Sequence, residues 1–232
     1  LNEVNAYIKK KKIFIYSLTD KNIEIFNNVL NSNIGIYKTN IPWVFYNRIK
    51  INKSITIGYM GDARESRGFN LLPDLINKLY NKNSNLNFLI QFAKTSSVST
   101  NITSDKLFQM AKKNTNIKIL KTYLDYADFR NTLQKIDIMP ILHNNEEIKN
   151  GNPSTIYSSI THEVPMILPE NLSYMKDILI HKSFEIGINL DDVVNKTLVI
   201  ANNYNKYLDA AKINSKLLFE ILEGDPLKKN IN

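Results

Sequence analysis

Arg64 and Arg67 stand in a turn bounded by Gly61 and Gly68, and they share it with Asp62 and Glu65. Two guanidinium forks beside the backbone N–H groups of a glycine-bounded turn suit a diphosphate, because arginine makes bidentate, charge-assisted hydrogen bonds to phosphate oxygens. The same residues also fit a solvated turn in which the arginines pair with Asp62 or Glu65. A second stretch that suits an anion is Asn150-Gly151-Asn152-Pro153-Ser154-Thr155. Asn152 as N-cap and Pro153 at the first helical position mark a helix start. Such an end aims unpaired N–H groups and the positive end of the helix dipole outward, and Ser154 and Thr155 add hydroxyl donors in the first turn.

Other reactive side chains say less. His143 closes a predicted strand on the same side and fits a general acid/base or a sugar contact, but no carboxylate is paired with it in a recognisable motif. His162 and His181 fall at predicted helix C-termini, where a positive or polar group serves the helix. No metal-ligand spacing occurs among His, Asp and Glu, and Glu146-Glu147 reads as loop charge. Gly-x-Ser-x-Gly, P-loop and Gly-x-Gly-x-x-Gly motifs are absent, so hydrolase, kinase and dehydrogenase readings lose their usual support. Tyr123, Tyr126 and Phe129 lie near basic residues, yet packing of at least two of them into the core is the expectation, and nucleic acid is not an expected partner.

The 232 residues are 43% hydrophobic and 22% charged, an ordinary globular balance. With no cysteine, disulfide scaffolds and thiolate metal sites are excluded, and a reducing compartment fits. A net charge of +8 admits acidic partners, although an excess of Asn, Ile, Tyr and Phe accompanies the lysines, as A+T-rich codons would produce. No apolar run reaches the roughly 18 residues that span a bilayer. Lysine-mediated attachment to an anionic membrane stays open. The chain opens at Leu1 with no leader-type apolar core and reads as a fragment or a processed chain.

The elements that must hold these residues alternate. Strands are predicted over Lys12–Ser17, Asn33–Tyr37, Lys53–Met60, Leu86–Phe92, Asn116–Lys121, Ile136–Leu142, Val164–Leu168 and Phe184–Gly187. Helices are predicted after Thr19-Asp20, with Ile23, Ile25, Phe26, Val29 and Leu30 as apolar face, and over Asn70–Tyr80, Ser104–Asn114, Ala127–Gln134, Pro153–Thr161 and Leu172–His181. Beyond Asp191 the pattern is helical to the end. This is an α/β order: a Rossmann-like parallel sheet with helices on both faces and ligands at the C-terminal ends of the strands. Gly61–Gly68, Gln91–Thr103 and His143–Ser154 all fall at those ends. Thr39–Ile51 reads as a connector. The expected organisation is residues 1–48 as the end of a first lobe with its linker, 49–203 as the main domain, and 204–232 as a C-terminal helix and tail.

The order Gly61-Asp62-Ala63-Arg64-Glu65-Ser66-Arg67-Gly68, then Ile136-Asp137-Ile138-Met139-Pro140, then Asn150 through Ser158, then Val164-Pro165-Met166-Ile167 resembles the C-terminal, donor-binding half of GT-B glycosyltransferases of the group-1 (family 4) type. The resemblance covers about residues 53–223, and residues 12–45 resemble the last strand–helix–strand of that family's N-terminal, acceptor-side domain. In the family pattern Arg67 takes the place of a lysine that contacts the donor diphosphate. The family's arginine after the glycine is Asp62 here, and Arg64 stands two residues on with an equivalent charge. The family's two glutamates fall at Asn150 and Ser158, which can still hydrogen-bond a sugar hydroxyl and a ribose without carrying charge.

The resemblance implies a nucleotide-sugar donor that enters as substrate, with no cofactor and no metal, and a glycan or lipid-linked acceptor of the cell envelope. Arg64, Arg67 and Asn150 are the expected catalytic residues. Gly61, Asp62, Gly151, Asn152, Ser154, Thr155, Ser158 and Tyr123 are the expected donor contacts. The implied setting is cytoplasmic, with peripheral contact at the inner membrane face, and the implied chemistry is retaining, with the leaving phosphate as base. The alternative is a non-catalytic nucleotide- or sugar-binding module derived from the same fold.

Overall fold

The computed structural model describes residues 2–10, 12–17, 20–30, 36–38, 44–48, 54–93, 98–144, 154–170, 172 and 179–224. The connector residues 39–43, the Glu146-Glu147 pair, Asn150, Gly151, Asn152 and Pro153 lie outside them, as does most of the helix expected over Leu172–His181.

The chain divides into two compact units, one of Leu1–Val44 with Lys216–Asn232, the other of Phe45–Ser215. The first opens with helix α1 (Asn2–Lys9), which the polar N-terminal sequence did not announce. Strand β1 (Ile15–Ser17), helix α2 (Asp20–Leu30) and strand β2 (Ile36–Lys38) follow, with β1 and β2 parallel. β1 is shorter than expected. On α2 the expected apolar face divides, with Leu30 buried while Ile25, Phe26 and Val29 remain exposed. A two-strand sheet offers too little surface to cover a helix face.

In the second unit β3 (Thr56–Asp62), β4 (Asn87–Ala93) and β5 (Ile117–Leu120) form one parallel sheet. Strands β6 (Met139–Pro140), β7 (Met166–Pro169) and β8 (Phe184–Gly187) form another. A parallel bridge between Ile57 and Ile138, with Gly58 N donating to Ile138 O at 2.9 Å, joins the two sheets through β3 and β6. The strand order is therefore β5-β4-β3-β6-β7-β8, the doubly wound order whose direction reverses between β3 and β6.

Helices α3 (Leu72–Lys82) and α4 (Val98–Lys113) connect β3 to β4 and β4 to β5, and α5 (Tyr126–Leu133) leads to β6. Helix α6 (Ser154–Thr161) connects β6 to β7. Because β4 and β7 lie on opposite sides of the β3–β6 junction, right-handed crossovers put α3 and α6 on opposite faces of the sheet. Helix α7 (Leu190–Asn202) follows β8 and packs on α3, and α8 (Tyr204–Glu223) comes next, belonging to this unit as far as Ser215. The strands are apolar on both faces because helices cover both. Ile57, Phe88, Ile90, Phe92, Ile138 and Ile167 form the sheet's share of the core, against Phe69, Leu72, Leu75, Ile76 and Leu79.

At the N-terminal end of this sheet, Asp137 is buried. Its Oδ2 accepts from Thr56 N and its Oδ1 from Arg48 Nη2, each at 2.9 Å. Arg48 N donates to Glu163 Oε2 at 2.9 Å, and Tyr46 N to Thr161 O at 2.9 Å. Glu163 holds a left-handed φ of 57° to do this. Tyr46 packs against His162, with ring centroids 4.7 Å apart, and the Arg130 guanidinium carbon lies 4.3 Å from the Tyr46 ring centroid. His162 directly follows the last residue of α6, the helix C-terminus where the sequence reading placed it, and is a buried group there. A carbonyl can only accept, so His162 Nδ1, 2.8 Å from Ser158 O, carries the proton. Burial holds this imidazole down to about 4, outweighing the bond to Ser158 and abetted by the charges of Arg130 and Arg48.

Candidate functional site

Strand β3 ends at Gly61-Asp62, and the φ of 144° at Gly61 is a backbone conformation that L side chains rarely adopt. Beyond it the chain makes two short 3₁₀ turns, Glu65–Arg67 and Phe69–Leu71, separated by Gly68 at φ 72°. Gly68 packs so closely that a Cβ would lie 2.3 Å from the Leu142 Cβ and 2.4 Å from its carbonyl oxygen. The turn is pinned on three sides. Tyr59 Oη donates to Asp62 O at 2.9 Å, Thr100 Oγ1 to Ala63 O at 2.9 Å, and Asn144 N to Ser66 O at 2.8 Å. The last of these ties the end of β6 to the end of β3, across the point where the strand order reverses.

On this frame both arginines face one carboxylate. Asp62 Oδ2 lies 3.2 Å from Arg64 Nη2 and 3.4 Å from Arg67 Nη1. Arg64 is 53% exposed, and Arg67 and Asp62 are each 31% exposed. The arginines therefore pair with Asp62, as the solvated-turn reading expected. At this exposure such pairs hold weakly, and an incoming anion can compete for the guanidinium groups. The structure corrects one expectation. The N–H groups of Arg64, Arg67, Gly68 and Phe69 donate to carbonyls within the turn, so these four cannot cradle a phosphate.

Tyr123 stands on the loop after β5, at the same end of the sheet, with 78% of its surface exposed. Tyr126 is 63% exposed, so the expected core packing of at least two of the three aromatic residues is overturned. The short α5 carries its buried residues, Thr132 and Leu133, at its other end. Of the second anion-binding stretch, Asn150, Gly151 and Asn152 lie outside the described residues. Ser154 is exposed at the start of α6 and Thr155 half-buried, whereas Ser158 is buried on a helix whose last six residues all face inward.

A cleft of about 510 Å³ lies beside the arginine turn, at the ends of β6, β7 and β8. Glu65, Asn70, His143, Asn144, Glu170 and Asn189 supply its polar groups over an apolar floor that includes Leu142 and Val193. Neither Lys nor Arg is among its described lining residues. Amides, carboxylates and an imidazole over an apolar floor suit a neutral group rich in hydroxyls and disfavour a phosphate. Sequence reasoning found His143 but not Asn70, Glu170 or Asn189, which come together only through the fold. Among the described residues no group of three or more His, Asp or Glu could hold a metal ion. No helix among them is long and apolar enough to cross a membrane.

No protein-family model and no curated protein matches the chain. Solved structures do. A TarM variant from S. aureus, in complex with fondaparinux, alpha-GlcNAc-glycerol and UDP, superposes with a TM-score of 0.68 at 12% identity, covering 94% of this chain and 43% of that one. The C-terminal domain of LpcC, a group 1 family glycosyl transferase from Francisella tularensis, gives 0.58 at 12% identity over 72% of this chain and 85% of that one. A UDP-forming trehalose-phosphate synthase from Burkholderia xenovorans gives 0.63 at 9% identity over 91% and 58%. The chain spans less than half the length of TarM. At these identities the likeness shows the fold alone, which is that of the GT-B glycosyltransferases.

Proposed function

We propose that this chain binds a nucleotide-diphosphate-sugar for a glycosyltransferase that passes the sugar to a cell-envelope glycan or a lipid-linked acceptor. The observation that carries the reading is the pair of guanidinium groups sharing Asp62 at the end of β3, at the reversal point of the sheet. In doubly wound sheets ligands bind in that crevice. When the bond between the anomeric carbon and the diphosphate breaks, negative charge develops on the leaving oxygen. Arg67 and Arg64, on a pinned turn, exchange Asp62 for the diphosphate and offer charge there, and electrostatic stabilisation of this kind is usually the largest single contribution to such a step. The leaving phosphate then serves as base towards the acceptor hydroxyl, with retention and without a metal.

The cleft lined by Glu65, Asn70, His143 and Asn144, with neither lysine nor arginine among its described lining residues, suits the sugar. Tyr123 offers a face for the nucleotide base. Asn150, Gly151, Asn152, Ser154, Thr155 and Ser158 complete the donor contacts. UDP is the favoured nucleotide, because UDP is bound in the TarM complex and formed by the trehalose-phosphate synthase. The chain works at the cytoplasmic face of a membrane, where its net charge of +8 favours anionic lipid.

Titration calorimetry with UDP tests the reading. The chain binds UDP, and Arg67→Ala binds it about 10- to 100-fold more weakly, the worth of a charge-assisted hydrogen-bond pair. A chain that takes up neither UDP nor GDP would sink the proposal. A second reading, binding without transfer, is favoured by Asn150 and Ser158 standing where the family carries glutamates. It predicts UDP binding with no consumption of UDP-sugar by the full-length protein.

A further inference from the structure

We infer that Gln91 is a positioning residue that couples the arginine turn to the loop carrying Tyr123; this rests on the nucleotide reading above. Gln91 sits near the end of β4, in register with Met60 of β3 on one side and Leu120 of β5 on the other. It is the lone polar residue in Phe88-Leu89-Ile90-Gln91-Phe92-Ala93 and is 6% exposed. Its carboxamide reaches both ways. Oε1 accepts from Gly61 N at 3.2 Å, and Nε2 donates to Thr122 O at 2.8 Å.

Each bond falls at the end of a strand. Gly61, at φ 144°, is the next-to-last residue of β3, and Thr122 lies two residues past the end of β5. The place a side chain would take on Gly61 is 3.7 Å from Arg67 Nη1, so the peptide that Gln91 holds underlies the guanidinium. Thr122 is the neighbour of Tyr123, and its hydroxyl donates to the Tyr123 carbonyl at 3.0 Å. One uncharged amide, able to donate and accept at once, therefore fixes the two places at which the diphosphate and the base of one nucleotide would be gripped. A buried apolar residue would leave both backbone groups unpaired, and a carboxylate would satisfy Gly61 N while facing the Thr122 carbonyl with like charge. Gln91 is buried and its amide is spent on Gly61 N and Thr122 O, so it acts on the nucleotide only through them. It sets the distance between the partners of the nucleotide's two halves.

Calorimetry on the whole chain with UDP, inorganic pyrophosphate and uridine tests this. Gln91→Met should weaken UDP about 10-fold. Introduced into Arg67→Ala it should weaken UDP by clearly less than about 10-fold further, because one of the two groups it positions is gone. Equal losses in both backgrounds would overturn the inference, since a general loosening of the fold adds independently. Gln91→Glu keeps the volume and supplies a second test should the methionine variant fold poorly. Its protonated carboxyl can both donate and accept, so its UDP affinity relative to wild type should recover by several-fold as the pH falls from about 8 to about 5. A ratio that stays flat with pH would overturn the inference too. A wild-type chain that binds no UDP brings down the nucleotide reading itself. A wild-type chain that binds UDP beside a Gln91→Met chain that binds it equally well brings down only the role of Gln91.

Discussion

Asp62 and Asp137 each face arginine at opposite ends of one sheet, and the two groupings differ chiefly in access to water. Asp62 meets Arg64 and Arg67 at the C-terminal end of β3, with all three side chains between about a third and half exposed. Asp137 meets Arg48 at the N-terminal end, with side chains 1% and 2% exposed. A buried pair is costly to break, because removing one partner strands the other charge away from water. An exposed pair holds its arginines loosely, ready for a stronger anion. The same residue types therefore serve as a structural clasp at one end and a candidate binding site at the other.

Mutation should separate the two. The largest effect is expected from Asp137→Ala, which strands Arg48 and deprives Thr56 N of its acceptor; denaturant unfolding should show a loss of about 3–5 kcal/mol. Gly68→Ala comes next. It forces φ 72° on a residue with a Cβ and drives that Cβ into Leu142, so a loss of about 2–3 kcal/mol is expected. Arg67→Ala should do the reverse of Asp137→Ala: nucleotide affinity falls while unfolding free energy moves by less than about 0.5 kcal/mol. If Arg67→Ala were as destabilising as Asp137→Ala, the contrast between the two ends would fail.

The smallest effect is one of pH. His162 titrates near 4 in the folded chain against 6.5 in the unfolded one, so between those values the unfolded state binds more protons and stability rises with pH. The contribution is fully present above about 6.5 and is lost as the pH falls towards 4. After allowance for solvent screening it amounts to about 1–2 kcal/mol. Melting curves across that range should show it, and His162→Phe should flatten the slope.

The alternation of strands and helices was legible because each strand, covered on both faces, is a short apolar run between polar turns. The range expected for β8 matches residue for residue, and β3, β4 and β5 shift by three residues or fewer. β6 was overestimated, since only Met139–Pro140 pairs regularly where Ile136–Leu142 looked continuous. Asp137 turns its carboxylate to Thr56 N and Arg48, and Pro140 has no N–H to offer a ladder. The arginine turn was legible from its glycines. That its own N–H groups are engaged internally was not, because 3₁₀ turns leave no local signature in these residues. Gln91 entered the sequence reading only as the first residue of the loop Gln91–Thr103, and its bridging role was not legible, as one polar residue in an apolar run carries no spacing to read.

The stitching of Phe45–Arg48 has a practical bearing on where this chain can be divided. Three backbone or side-chain bonds, from Tyr46 N, Arg48 N and Arg48 Nη2, fasten this segment to Thr161, Glu163 and Asp137. To a protease, that stretch belongs to the larger unit. Cleavage ahead of Phe45 would leave the clasp intact, whereas trimming to Ser54, at the edge of β3, would remove a guanidinium from a buried carboxylate and release a weaker domain.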